Sequence, residues 1–169
     1  MKIMPLDSPD DVLLQDLAAR TAERLSRRGW RLATAESCTG GWVAKLCTDL
    51  AGSSHWFDSG FVTYSNQAKQ RMLGVRADAL ATHGAVSEAV VAQMVAGALA
   101  NSEAEVALAI SGIAGPGGGS DAKPVGMVCF AWGLAGASPQ TATCRFAGER
   151  EAVRRQAVAW ALEGVLARV

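Results

Sequence analysis

A serine, a tyrosine and a lysine are the residues of this sequence best suited to hydrolytic chemistry. Ser37 lies in a turn, E-S-C-T-G-G, which follows a strand-like run and precedes a helical pattern. Tyr64 ends a second strand-like run, and Lys69 follows it by five residues. A lysine buried beside a pocket can lower its pKa toward the working pH and act as a general base. Together these residues indicate attack by a serine hydroxyl on an acyl carbon.

The turn around Ser37 also predicts a place for negative charge. The backbone N–H groups of Cys38, Thr39, Gly40 and Gly41 can converge on one point before the following helix. Such a turn holds an anion, or the oxyanion of an acyl-transfer intermediate. The alternative is structural, because Ser37 or Thr39 could act only as the N-cap of the helix.

Other assignments of the same chemistry stay open. Cys38 is a rival nucleophile, but neither His55 nor His83 is an obvious partner base for it. Lys69 could equally be a solvated helix lysine, and Tyr64 an ordinary residue at the end of a strand.

A second glycine-rich stretch, residues 112–121, directly follows an apolar run of strand length. Its backbone amides could hold a phosphate, and Ser111 and Lys123 beside it could add a hydroxyl and a charge. The stretch matches neither the P-loop nor the dinucleotide-binding fingerprint. A flexible loop without a ligand is the alternative. We expect Ser111, Gly112 and Gly115 to contact the substrate.

Composition and charge describe a globular protein with no preference for polyanions. Half of the 169 residues are hydrophobic, and sixteen basic residues balance sixteen acidic ones. This balance argues against a non-specific nucleic-acid binder. No apolar run reaches transmembrane length, and the N-terminus has no apolar signal core. We therefore expect no membrane partner and a cytoplasmic location.

The cysteines predict neither a disulfide framework nor a metal site. They form no C-x-x-C pair, and the chain has only two histidines. Cys47, Cys129 and Cys144 are expected to be small buried apolar residues.

The elements that must position these residues follow from hydrophobic periodicity and turn signals. Ser8 or Asp7 is expected to cap the first helix, with Pro9 in its first turn. The predicted helices cover residues 7–28, 40–50, 67–73, 87–101 and 148–168, with one helical turn at 78–82; the predicted strands cover 30–35, 56–64, 105–111, 125–132 and 141–146. The order predicts an α/β fold, a three-layer α/β/α single domain over residues 1–169 with a mixed sheet. The ligand crevice is expected at the carboxyl ends of the strands.

Four motifs in order resemble the CinA C-terminal domain family over roughly residues 10–168. They are T-A-E-S-C-T-G-G at 34–41, Y-S-N-Q-A-K at 64–69, H-G-A-V-S at 83–87, and S-G-I-A-G-P-G-G-G with K-P-V-G within 111–126. That family includes the nicotinamide-nucleotide amidohydrolases. Two positions depart from its usual pattern. Ser111 stands where threonine is commoner, and Gly117 stands where the loop often carries an acidic residue.

The resemblance implies hydrolysis of the carboxamide of nicotinamide mononucleotide to nicotinate mononucleotide and ammonia, with no metal and no organic cofactor. By motif match, the family's serine nucleophile corresponds to Ser37, and its tyrosine and lysine correspond to Tyr64 and Lys69. The lysine is expected to take the serine proton through the tyrosine. The 5′-phosphate is expected on the glycine-rich loop or on Arg145 or Arg150. We expect a homo-oligomer, a dimer. The alternative is a non-catalytic regulatory module that binds a nucleotide in the same pocket.

Overall fold

The computed structural model describes residues 1–3 and 8–169. Its strands are β1 (Lys2–Ile3), β2 (Leu32–Glu36), β3 (Phe57–Val62), β4 (Val106–Gly112), β5 (Met127–Leu134) and β6 (Gln140–Arg145). Its helices are α1 (Asp11–Arg28), α2 (Trp42–Thr48), α3 (Asn66–Leu73), α4 (Ala77–His83), α5 (Glu88–Ala100) and α6 (Arg150–Leu166), with a 3-10 turn at Ser53–His55.

The strands form one mixed sheet in the order β1-β6-β5-β4-β2-β3. Strands β2, β3 and β4 are parallel, whereas β5 runs antiparallel to both β4 and β6. One face packs on α1, α2 and α6 through residues such as Leu14, Leu46 and Leu162. The other packs on α3, α4 and α5 through residues such as Leu80 and Met94. The predicted three-layer α/β/α architecture with a mixed sheet is confirmed.

Helix α1 begins later than the sequence predicted. Its N-cap is Asp10, whose Oδ1 accepts the N–H of Leu13 at 2.8 Å. A carboxylate at this position satisfies a free donor of the first turn and favours the helix dipole, so Asp10 displaces Ser8 as the cap. Pro9 therefore precedes the helix, and the alternative cap Asp7 lies outside the described residues.

Other differences concern short elements. The single turn expected at 78–82 is the longer helix α4, and the two-residue strand β1, parallel to β6, was not predicted at all.

Gly60 in β3 lies close to helix α2. A Cβ on Gly60 would lie 3.1 Å from the Cβ of Ala44, which belongs to α2. The register of β2 against β3 also shifts after Leu32, so this edge of the sheet is irregular as well as tightly packed.

The parallel strands bring three loops to one edge of the sheet. The Ser37 N–H donates to the Ile110 carbonyl at 3.0 Å, and the Thr63 N–H donates to the Glu36 carbonyl at 2.9 Å. The segments after β2, β3 and β4 are therefore neighbours, as the rule for carboxyl ends predicts. Among the described residues, none of the helices combines the length and apolar character that crossing a bilayer requires.

Candidate active site

The hydroxyl of Ser37 and the amine of Lys69 meet at this edge, with 3.0 Å between Oγ and Nζ. Ser37 comes from the turn after β2, and Lys69 from the second turn of α3. The Ser65 side chain caps α3 by accepting the Ala68 N–H at 3.0 Å, which fixes where the helix begins. The structure therefore brings these two candidate residues together in one crevice.

Lys69 is held in a way that suits a neutral amine. It is 1% exposed, and its Nζ also lies 2.7 Å from the Thr63 carbonyl oxygen and 3.5 Å from that of Tyr64. Burial lowers the pKa of Lys69, because water no longer solvates the charge. After loss of a proton, its two N–H groups can serve the two carbonyls, which only accept. The lone pair then faces the Ser37 hydroxyl, which can donate.

Two backbone N–H groups next to Ser37 are left without oxygen acceptors. The turn closes when the Gly40 N–H donates to the Ser37 carbonyl at 3.0 Å. Within residues 1–3 and 8–169, the N–H groups of Cys38 and Thr39 donate to no backbone or side-chain oxygen, although these residues are only 7% and 0% exposed, and the Cys38 N–H has only its own thiol beside it. Buried backbone donors are rarely left unpaired. The turn therefore offers two donors beside the serine hydroxyl.

The N–H groups at the N-terminus of α2 already have acceptors, so they are not available to a ligand. The carboxylate of Glu36, which is 0% exposed, accepts the N–H of Val43 and that of Ala44, each at 3.0 Å. The sequence predicted that the N–H groups of the turn itself, before this helix, would converge on an anion. Glu36 takes the first N–H groups of the helix, so any oxyanion must rely on that turn.

The cysteines give no second nucleophile. Burial raises the pKa of the Cys38 thiol to about 12, so the thiol stays protonated at neutral pH. Cys47, Cys129 and Cys144 are buried and free, as predicted. Over the described part of the chain, no group of three or more His, Cys, Asp or Glu side chains is arranged to hold a metal ion.

The Tyr64 side chain does not point into the Ser37–Lys69 pair. Its ring is exposed, and its hydroxyl accepts from Nη2 of Arg150 at 3.1 Å. Only the backbone carbonyl of Tyr64 approaches Lys69. The expected relay of the serine proton through the tyrosine hydroxyl is therefore wrong for this geometry, because Lys69 already contacts Ser37 directly.

Of the two arginines expected at the phosphate, Arg150 contacts the glycine-rich loop and Tyr64, whereas Arg145 does not. Nη1 of Arg150 donates to the Gly115 carbonyl at 2.7 Å, so Arg150 links the glycine-rich loop to Tyr64. A cavity of about 510 Å³ lies here between the loop and the start of α6. Arg145 at the end of β6 lines a different cavity of about 370 Å³, which Ile3 also borders.

The structure also shows what surrounds Ser111, Gly112 and Gly115, which the sequence predicted to contact the substrate. The Ser111 hydroxyl, expected at the substrate, instead donates to the Ala85 carbonyl at 2.9 Å and is buried. A Cβ on Gly112 would lie 2.7 Å from Val128, and one on Gly115 would lie 2.6 Å from Val125. These glycines permit close packing at the root of the loop.

One further residue contacts the Ser37 turn, and this contact was not predicted from the sequence. Arg154 donates from Nε to the Cys38 carbonyl at 3.0 Å and from Nη2 to the Thr39 carbonyl at 3.1 Å. It lies one helical turn after Arg150, so the spacing of the two arginines on α6 was the available signal.

Comparison with known proteins identifies the family of this chain. A model of the CinA C-terminal domain family matches residues 14–169. The nicotinamide-nucleotide amidohydrolase PncC of Escherichia coli (strain K12) is 56% identical over 153 residues, which are 90% of this chain and 93% of that protein. The protein of the same name from Pseudomonas putida is 53% identical over 150 residues, which are 89% of this chain and 93% of that protein.

Solved structures give the same result. The competence/damage inducible protein CihA of Agrobacterium tumefaciens superimposes with a TM-score of 0.90 at 43% identity, covering 97% of this chain and 98% of that one. A CinA superfamily protein of Escherichia coli superimposes with a TM-score of 0.90 at 38% identity, covering 98% and 96%. The chain therefore belongs to the CinA C-terminal domain family.

Proposed function

We propose that this chain is a nicotinamide-nucleotide amidase, which hydrolyses the carboxamide of nicotinamide mononucleotide to nicotinate mononucleotide and ammonia and so recycles pyridine nucleotides. The names of relatives that are 50–56% identical over most of the chain support the reaction. The observation that carries the proposal is the 3.0 Å contact between Ser37 Oγ and Lys69 Nζ. A serine hydroxyl beside a buried lysine amine, whose pKa is lowered by that burial, is a nucleophile–base pair suited to amide hydrolysis through an acyl-enzyme.

In the first half of the reaction, the Ser37 oxygen forms a bond to the carboxamide carbon while Lys69 takes the hydroxyl proton. The pyridinium ring withdraws electrons and makes that carbon more electrophilic. The tetrahedral intermediate then breaks its C–N bond, and Lys69 returns the proton to the leaving nitrogen, which departs as ammonia. In the second half, Lys69 activates a water that hydrolyses the ester on Ser37.

The oxyanion of the intermediate is assigned to the Cys38 and Thr39 N–H groups. Both are buried and donate to no oxygen among the described residues, and they belong to the two residues that follow the nucleophile. Donors that are oriented before the reaction stabilise developing charge without reorganisation, and one such donor is typically worth about 2.7–4 kcal/mol. Gly40 and Gly41, whose φ angles are 63° and 93°, allow the tight turn that orients these donors.

The 5′-phosphate is assigned to Arg150. Arg150 lines the cavity between the glycine-rich loop and α6, and its guanidinium is held by the Gly115 carbonyl and the Tyr64 hydroxyl. Arginine is suited to phosphate because its planar fork can donate two parallel hydrogen bonds. Tyr64 is then a residue that orients Arg150 through its hydroxyl and Lys69 through its carbonyl.

The test is ammonia release from nicotinamide mononucleotide, with hydroxylamine as a competing nucleophile. The native chain should release ammonia and, with hydroxylamine present, form the nicotinohydroxamate mononucleotide from the acyl-enzyme. Ser37→Ala should abolish both products while still binding the substrate. Binding by the native chain without ammonia release would contradict the enzyme assignment, and full activity of Ser37→Ala would contradict the nucleophile.

A further inference from the structure

The peptide groups of the Ser37 turn are held from behind by one side chain. Arg154 donates to two successive carbonyls, those of Cys38 and Thr39, at 3.0 and 3.1 Å. The peptide bond between Cys38 and Thr39 is trans, so its N–H points away from its C=O. Because the Cys38 carbonyl faces Arg154, the Thr39 N–H faces the opposite side, where it has no acceptor among the described residues.

The charge on Arg154 is not neutralised by an acid. Over residues 1–3 and 8–169 it forms no salt bridge, and its guanidinium carbon lies 5.1 Å from the centre of the Trp42 ring. A cation that hydrogen-bonds to a carbonyl polarises the peptide and strengthens its N–H as a donor. Arg154 therefore adds positive potential on the side of the turn opposite the Thr39 N–H.

The neighbouring Arg155 provides an internal comparison. Its guanidinium carbon lies 5.2 Å from the centre of the same Trp42 ring. However, its charge is paired with Asp11 at 2.6 Å and with Glu151 at 3.0 Å, and it does not contact the turn. The two arginines thus share the aromatic contact and differ in their access to the Ser37 turn.

We infer that Arg154 is a positioning residue for the oxyanion site, which orients and polarises the peptide between Cys38 and Thr39 so that the Thr39 N–H can donate to the reacting oxygen. This inference rests on the proposed amidase function. It goes beyond that function because it predicts that a residue on α6, which contacts the turn through two backbone carbonyls, contributes to the transition state and not to substrate binding. Its effect should therefore appear in kcat and not in KM.

The experiment compares Arg154→Ala with Arg155→Ala on nicotinamide mononucleotide and on its thioamide analogue. Arg154→Ala should lower kcat for the amide by about 10-fold, less than the loss of a whole oxyanion donor, with KM changed less than about 3-fold. Sulfur accepts hydrogen bonds weakly, so the thioamide should lose less. The ratio of amide to thioamide kcat should therefore fall in Arg154→Ala and stay native in Arg155→Ala.

Two further measurements separate this role from folding. Arg154→Lys keeps a cation on the same helix face but cannot donate in a fork, so it should fold and still show the lower kcat ratio. Added guanidinium at non-denaturing concentration should restore part of the kcat of Arg154→Ala. An unchanged kcat in Arg154→Ala and Arg154→Lys, or an equal loss on both substrates, would overturn the inference while native activity stands. An inactive native chain would overturn the proposed function and this inference with it.

Discussion

Lys69 Nζ lies 3.0 Å from Ser37 Oγ, and the two side chains are only 1% and 8% exposed. The two residues are 32 positions apart in the chain and meet because β2 and the start of α3 share one edge of the sheet. Burying a lysine without a carboxylate partner is unfavourable when the amine is charged. The same burial favours the neutral amine, which can act as a base. Burying Lys69 therefore lowers the free energy of unfolding but supports the chemistry of the site.

The first prediction concerns the pH dependence of activity. Burial lowers the pKa of Lys69 below the ordinary lysine value of about 10.4, and the base must be neutral to act. Activity of the native chain should therefore rise with pH through this lowered pKa. Lys69→Arg keeps a permanent charge, so kcat/KM should fall by about 100-fold or more at all accessible pH values.

Lys45→Arg is the matched control for this prediction, because Lys45 is an exposed lysine on α2 whose side chain pairs with Asp49. It should leave the pH–rate profile and kcat/KM unchanged. Retention of the native profile by Lys69→Arg would remove Lys69 as the base.

The second prediction concerns stability. Lys69→Met should raise the free energy of unfolding at neutral pH, because methionine fills a similar buried volume without a charge. The folded pKa of Lys69 is lowered, so between the folded and unfolded pKa values the unfolded state binds more protons. The free energy of unfolding of the native chain therefore rises with pH through this window. The difference in favour of Lys69→Met should shrink as a result. Chemical denaturation of both proteins across this pH range measures the difference in their free energies of unfolding. A lower free energy of unfolding for Lys69→Met than for the native chain at neutral pH would contradict the prediction.

The third prediction separates the two parts of Tyr64. Tyr64→Phe removes the hydroxyl that contacts Arg150 but keeps the carbonyl near Lys69. It should raise KM by a few-fold by loosening Arg150, while the pH–rate profile stays native. A proton relay through the hydroxyl would instead lower kcat strongly and shift the profile. Steady-state kinetics over a pH series distinguishes the two results.

Much of the framework was predictable from the sequence because its signals are local. Alternating and helical hydrophobic patterns gave the order of the elements, and that order predicts a mixed α/β sheet with its crevice at the carboxyl ends of the strands. The structure adds which strands are neighbours, such as the parallel pair β2 and β4. The convergence of Ser37 and Lys69 follows from this topology. Short elements such as β1 and the exact start of α1 depend on individual hydrogen bonds, which periodicity does not reveal.

The orientation of site side chains was not predictable, because it depends on contacts between distant segments. Arg154 reaches the Cys38 carbonyl over a separation of 116 residues, and Glu36 turns back onto α2 instead of facing the crevice. Likewise, Tyr64 and Ser111 lie at the predicted edge of the sheet, but their hydroxyls bond to the Arg150 side chain and to the Ala85 carbonyl. Motif spacing places a residue at an edge of the sheet, whereas packing decides which way its side chain points.

The last prediction tests the assignment of the phosphate and uses Arg145→Gln as a matched control. Arg150→Gln removes the cation beside the 510 Å³ cavity, whereas Arg145→Gln removes one beside the other cavity. Hydrogen bonds to charged groups contribute about 1.5–3 kcal/mol, so Arg150→Gln should raise KM for nicotinamide mononucleotide by roughly 10-fold or more. It should change KM little for nicotinamide riboside, which lacks the phosphate, and kcat should stay within a few-fold of native. Equal losses on both substrates would show that Arg150 acts on the ring or the turn, and a larger effect of Arg145→Gln would move the phosphate to the neighbouring cavity.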